Sequence, residues 1–249
     1  MEDQTKEKIR NLVSPGGVTS DTRLVLVNAL YLKAPWHTPF EKSATVPLPF
    51  HLSVGTTRDV PTMRRGGSLG YVHENGLTVV ALDYLGRELR CLILLPDEGR
   101  AVDAAAAALT PADFTRWKKL AGDIPPTRIV LHLPRFRIEG ATLPLGLALR
   151  QLGMKSAFDE PLGNANFDRM ARRRPDDYLK ISEVFHQTFI ALDEEGTEAA
   201  AATAVMSFAG SAVNPQKPIE VRVDRPFLFA IQHRASGACL FLGRITDPR

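Results

Sequence analysis

Two groups of residues in this chain have the types and spacing that ordinary catalysis or ligation would need. Gly66-Gly67-Ser68-Leu69-Gly70 has the G-x-S-x-G spacing that presents a nucleophilic serine, with His132, His186 and His233 downstream as bases. Its flanks argue against that use. An elbow needs a buried strand before the serine and a helix after it, and Met63-Arg64-Arg65 and Tyr71-Val72-His73 offer neither. Ser68 is therefore only a distant serine-hydrolase alternative. The two cysteines, Cys91 and Cys239, both lie in apolar runs and read as buried free thiols rather than a disulfide. No Cys/His spacing suggests a metal site, so neither metal nor cofactor is expected. Arg169 with Arg172-Arg173-Arg174 reads as a solvated basic loop rather than a polyanion site.

A third stretch has a different use, which is mechanical. It runs Glu194-Glu195-Gly196-Thr197-Glu198-Ala199-Ala200-Ala201-Ala202-Thr203-Ala204. Alanine favours a helix, capped by Thr197 with Glu198 in its first turn. The alternative is an extended segment able to slide between existing strands, because it lacks proline and aromatics and carries one charge after Gly196. With a period of two, Thr197, Ala199, Ala201 and Thr203 point one way, and Glu198, Ala200, Ala202 and Ala204 the other. The charge then stays in solvent. Such a segment is a strand held in reserve.

The rest of the chain reads as the scaffold for that strand. At 249 residues, 44% hydrophobic and 24% charged, it has the composition of a globular protein with a sizeable core. A net charge of +3 gives no reason to expect nucleic acid, and no apolar run spans a membrane. No signal peptide is visible at Met1–Lys6. Leu24 to Leu32 reads as a strand buried on both faces, interrupted by Asn28. Val46–Phe50, Val60–Met63, Tyr71–His73, Thr78–Tyr84 and Leu89–Pro96 read as strands, with a turn at Gly86. Ala101–Leu109 and Pro111–Lys119 read as helices, the second capped by Thr110. Arg128–Ile138 alternates as a strand, Leu143–Leu152 reads as a helix stopped by Gly153, and 158–178 as a loop. Strands follow at Tyr178–Leu192, Ile219–His233 and Gly237–Ile245, with a loop at Ser207–Pro218. Strands and helices cluster without regular alternation, so the expected class is α+β.

With these residues in view, Glu194–Ala201 resembles the reactive-centre-loop hinge of the serpins, inhibitors that work by inserting a strand. Further motifs follow in family order. Val27-Asn28-Ala29-Leu30-Tyr31-Leu32-Lys33-Ala34-Pro35-Trp36 resembles the third strand of the large sheet with the breach tryptophan, Trp36. Asn28 and His186 fall on the shutter pair, and Arg135 and Glu194 on a breach ion pair. Ile93-Leu94-Leu95-Pro96, His132-Leu133-Pro134-Arg135-Phe136, Asp224-Arg225-Pro226-Phe227-Leu228-Phe229 and Phe241-Leu242-Gly243-Arg244-Ile245 resemble further family strands. The resemblance covers 1–249 as one partial serpin domain, with the reactive-centre loop at about 194–218. Glu2–Ile9 resembles the segment after helix F, so helices A–F are expected to be missing and Leu24–Leu32 to have an uncovered face and a free edge.

The resemblance implies a serine-protease inhibitor acting as a suicide substrate, with no catalytic residue of its own. The target's serine attacks the loop, and insertion of the cut strand outruns deacylation. A dozen inserted residues would gain on the order of 10–30 kcal/mol in hydrogen bonds before entropy. Counting the hinge from Glu194 puts the reactive bond at Gly210–Ser211, with Ala209 and Phe208 as alternatives before the cut. Small residues there imply elastase- or subtilisin-like targets, and Phe208 chymotrypsin-like ones. A cysteine protease is the other class allowed. The resemblance further implies a monomer when complete, and an extracellular location by family habit alone. The alternative is a non-inhibitory or truncated, inactive remnant.

Overall fold

A computed structural model describes residues 5–10, 12–13, 15–52, 55–121, 126–175, 177–197 and 217–248. Its strands are β1 (Leu24–Tyr31), β2 (Ala34–Pro35), β3 (Val46–His51), β4 (Thr57–Glu74), β5 (Leu77–Asp83), β6 (Leu89–Pro96) and β7 (Thr127–Pro134). They continue with β8 (Phe136–Glu139), β9 (Leu143–Pro144), β10 (Ile181–Leu192), β11 (Gly196–Thr197), β12 (Ile219–Arg222), β13 (Phe227–His233) and β14 (Cys239–Ile245). The α-helices are short: α1 (Val102–Ala107), α2 (Pro111–Trp117) and α3 (Gly146–Gln151). The class is α+β, as expected.

The chain divides into two compact units, 1–32 with 138–190 and 33–137 with 191–249. In the first, β1 runs parallel to β10 with Asn28 opposite His186, while Leu143 and Pro144 of β9 pair antiparallel with β10. Leu145, Leu149 and Phe167 pack on Phe158, Ile181 and Val184. α3 begins later than Leu143 because Leu143 and Pro144 are taken up in that pairing, and Gly153 ends it at a φ of 101°. β1 pairs on one side only among the described residues, and Leu26 and Val27 are 42% and 38% exposed. The expectation of burial on both faces is thus corrected, and the free edge is found. Arg173 ties its loop together, lying 3.9 Å over the Tyr178 ring and donating to the carbonyls of Ala165 and Gly163. Arg169, Arg172 and Arg174 are exposed, as a solvated loop requires.

The second unit is built on a sheet of order β12-β7-β4-β5-β6-β13-β14, with β3 on β4. β5, β6 and β13 are buried on both faces, which is why they read as near-continuous apolar runs. Val102, Ala105 and Trp117 from α1 and α2 cover one face, packing on Val79, Leu92, Leu94 and Ala230. A capping box between Thr110 and Asp113 opens α2 with Pro111 at its start. β4 is one strand of 18 residues, not two short ones, because its ladder to β7 carries the chain through Gly66 and Gly67. Ser68 lies mid-strand opposite Arg128. No strand-to-helix turn surrounds it, so the hydrolase alternative is withdrawn. Ile219–His233 is likewise two strands. β12 joins β7 in parallel and β13 joins β6, with Pro226, which has no N–H to donate, between them. Of the thiols, Cys91 is buried as expected, but Cys239 is exposed at the start of edge strand β14, and both are free.

Candidate functional site

The site lies in the second unit, where the chain leaves the end of β10, turns and comes back as β11. Asp193 N–H donates to the Gly196 carbonyl (2.9 Å), and the Asp193 carboxylate accepts from Glu195 N–H (2.9 Å) and Gly196 N–H (3.2 Å). An Asx-type turn therefore closes the reversal. Its product is β11, with Thr197 opposite Leu192 on one side and Ala34 on the other, and Gly196 opposite Pro35. Gly196 and Thr197, from the alanine-rich stretch picked out in the sequence, are already inside a sheet. Thr197 is fully buried, matching the alternation that points it inward.

Aromatic rings and a charge network hold this turn. Trp36, 2% exposed, stacks on Tyr84 with ring centres 4.6 Å apart, and its indole N–H donates to the Asp193 carbonyl (2.9 Å). The N–H groups of Trp36 and Phe40 donate to the carbonyls of Glu195 and Glu194. The Tyr84 hydroxyl lies 2.6 Å from the Thr197 hydroxyl. Glu194, 2% exposed, meets Arg135 at 2.5 Å and accepts a short hydrogen bond from the Thr45 hydroxyl. Lys42 pairs with Glu195 at 2.5 Å.

The acids respond oppositely to this setting. Burial alone would raise the Glu194 carboxyl, but Arg135 and Thr45 outweigh it and hold the carboxyl below its ordinary value. Asp193 goes the other way: burial raises it, and the backbone N–H groups of Glu195 and Gly196 offset this only in part. Because Glu194 is depressed in the folded state, its stabilisation is full above the ordinary value of 4.5 and is lost as pH falls through the lower folded value. Glu194→Ala is expected to cost about 1–3 kcal/mol at pH 7. The difference from wild type should shrink as pH falls through that depressed folded value, read by urea melts at pH 7 and across an acid series.

Tyr84 and Thr45 belong to this cluster, and the sequence reading did not pick them out. A tyrosine ending a buried strand needs a partner for its hydroxyl, and that signal was available. Tyr84→Phe should cost about 1–3 kcal/mol by stranding the Thr197 hydroxyl, whereas Tyr84→Phe with Thr197→Val should recover most of it. A double-mutant cycle in urea measures this.

Of the residues picked from the sequence, the second unit gathers Trp36, Arg135, Glu194, Glu195, Gly196 and Thr197 here. Asn28 and His186 are register partners in the first unit. Glu198, Ala199, Ala200, Ala201, Ala202, Thr203, Phe208, Ala209, Gly210 and Ser211 lie outside the described residues.

These mixed sheets with few helices, and a strand reversal clamped by a tryptophan and an ion pair, define a serpin-like fold. The family model described as "Serpin (serine protease inhibitor)" matches residues 1–248, and the chain belongs to the serpin family. It is 35% identical to human (Homo sapiens) Serpin B3 over 250 residues, covering 100% of this chain and 62% of that protein. It is 35% identical to the pig (Sus scrofa) leukocyte elastase inhibitor over 254 residues, covering 100% of this chain and 64% of the relative. The native-state crystal structure of tengpin, a thermophilic serpin, matches with a TM-score of 0.82 at 28% identity, over 99% of this chain and 60% of that one. The chain thus spans about three-fifths of the length of these relatives.

Proposed function

We propose that this chain is the loop-bearing portion of one serpin domain that inhibits serine proteases as a suicide substrate, with its reactive-centre loop at about 194–218. The observation that carries the reading is a register. β11 fixes Thr197 opposite both Leu192 and Ala34. Counting onward, Ala199 would fall between Leu32 and Ile190, Ala201 between Leu30 and Thr188, and Thr203 between Asn28 and His186. In β1 and β10, Leu30 already pairs with Thr188 and Asn28 with His186. An added strand can therefore enter without slipping either neighbour. Alanines and threonines suit that slot.

Entry must part the β1–β10 ladder, so one set of hydrogen bonds is lost while two form. The net gain is about 0.5–1.5 kcal/mol per residue, or about 3–9 kcal/mol across 198–203, below the sequence-based figure. The reactive bond is Gly210–Ser211, with Ala209 or Phe208 as alternatives before the cut. Elastase- or subtilisin-like proteases are the intended targets. For the test, the chain is completed with the part of the family's length outside the match and incubated with elastase and subtilisin. The expected result is an SDS-stable complex that releases a peptide beginning at Ser211. Loop cleavage with no complex would overturn inhibition and leave a non-inhibitory serpin.

A further inference from the structure

We propose that the loop ahead of β10 is a processing site, where an endoprotease selective for Arg-x-x-Arg cuts the Arg172–Arg173 bond and leaves both pieces held together. Water adds across that amide, so Arg172 ends in a carboxylate and Arg173 begins with an amine.

The spacing Arg-x-x-Arg occurs three times, at Arg87-Glu88-Leu89-Arg90, Arg169-Met170-Ala171-Arg172 and Arg222-Val223-Asp224-Arg225. Two arginines so spaced can fill two acidic pockets of a protease groove, each guanidinium gripping a carboxylate through paired N–H donors. That demands an exposed segment able to lie extended. The structure removes two of the three matches. Arg90 is fully buried in β6, flanked by Asp83 of β5 and Gln232 of β13. Arg222 is paired in β12, while Arg225 donates to the Pro96 carbonyl and precedes Pro226, a poor leaving side for a protease.

The third match is open. Residues 168–172 form no strand or helix, and all five are exposed. Their hydrogen bonds are local: the N–H groups of Met170 and Ala171 donate to the Phe167 carbonyl (2.8 and 3.2 Å), and that of Asp168 to Asn166 Oδ1 (3.2 Å). Such a turn opens at little cost, and exposed loop tips are where nicking concentrates. Neighbours then select the bond. Arg173 is engaged with the Ala165 and Gly163 carbonyls (2.7 and 3.0 Å), and Arg174 precedes Pro175. Arg172 is left, with Arg169 three residues before it. The stretch 194–218 offers the same enzyme nothing, because its one basic residue, Lys217, precedes Pro218.

Contacts that bridge the cut keep β10 in place. The Tyr178 hydroxyl donates to Asp159 (2.6 Å), β10 pairs with β1 and β9, and Leu145 and Leu149 cluster with Ile181 and Val184.

The test treats the 249-residue chain with a subtilisin-type proprotein convertase that requires Arg-x-x-Arg. Denaturing gels and mass spectrometry should show two pieces, 1–172 and 173–249, which co-elute on native size exclusion. Arg169→Gln should slow the cut by about tenfold or more, and Arg172→Gln should abolish it. Arg222→Gln, which breaks the match before Pro226, should change the rate by less than about twofold. A first cut after Arg90 or Arg225, pieces that separate, or an intact native chain that is cut only in urea would overturn the site.

Discussion

Gly196→Ala is expected to destabilise the chain by about 2–6 kcal/mol, combining backbone strain with overpacking. Gly196 sits at a φ of +147°, and a β-carbon there would lie 2.3 Å from the Ala34 carbonyl oxygen, 2.6 Å from Pro35 Cα and 2.9 Å from Trp36 N. All three are backbone atoms, and Ala34 and Pro35 are held by the β2–β11 pairing. They cannot move aside as a flexible side-chain tip could. Gly66→Ala is the control, because nothing lies within 4 Å of its β-carbon position. It should change stability by less than about 0.5 kcal/mol. Urea unfolding of both variants gives the comparison, and equal midpoints would refute the tight approach of β11 to β2.

The second large effect is expected for Thr197→Arg in the completed protein. Thr197 is fully buried beside Tyr84 and between two strands. An unpaired charge there costs several kcal/mol. If about 3 kcal/mol appears as a barrier to insertion, entry slows by about 150-fold. On the proposed mechanism deacylation then wins, and the variant should behave as a substrate, seen on gels as cleaved chain in place of covalent complex. Because Thr197 is in the sheet before any cut, the uncut variant should also melt earlier. A variant that still traps protease at the wild-type ratio would sink the role given to Thr197.

Residues whose signal is local were readable in advance. Thr110-Pro111 announced a helix start, the alternation of Ile129, Leu131 and Leu133 announced a core-facing strand, and the apolar Leu89–Pro96 announced a buried strand. The misread strand boundaries share one cause: tertiary pairing overrode local pattern. β4 runs through two glycines because β7 holds it there, and Ile219–His233 splits because its halves join different neighbours. Hydrophobic patterning alone does not say which strand a residue will meet. At the site, family resemblance picked out Trp36, Arg135 and Glu194, and alternation placed Thr197 inward. Tyr84 was missed because its partner is distant in sequence, and the reversal at Asp193 because the turn was read as the start of a loop.

The unequal surroundings of the two cysteines make the chain a ready object for optical tracking. Cys91 is enclosed, and burial pushes its thiol up to about 12, so it stays protonated and out of reach of reagents. Cys239 is exposed. A maleimide dye should therefore attach once, at a defined place, without any engineered substitution. Energy transfer from the two tryptophans, Trp36 and Trp117, to a dye at that place would report changes around both rings in real time.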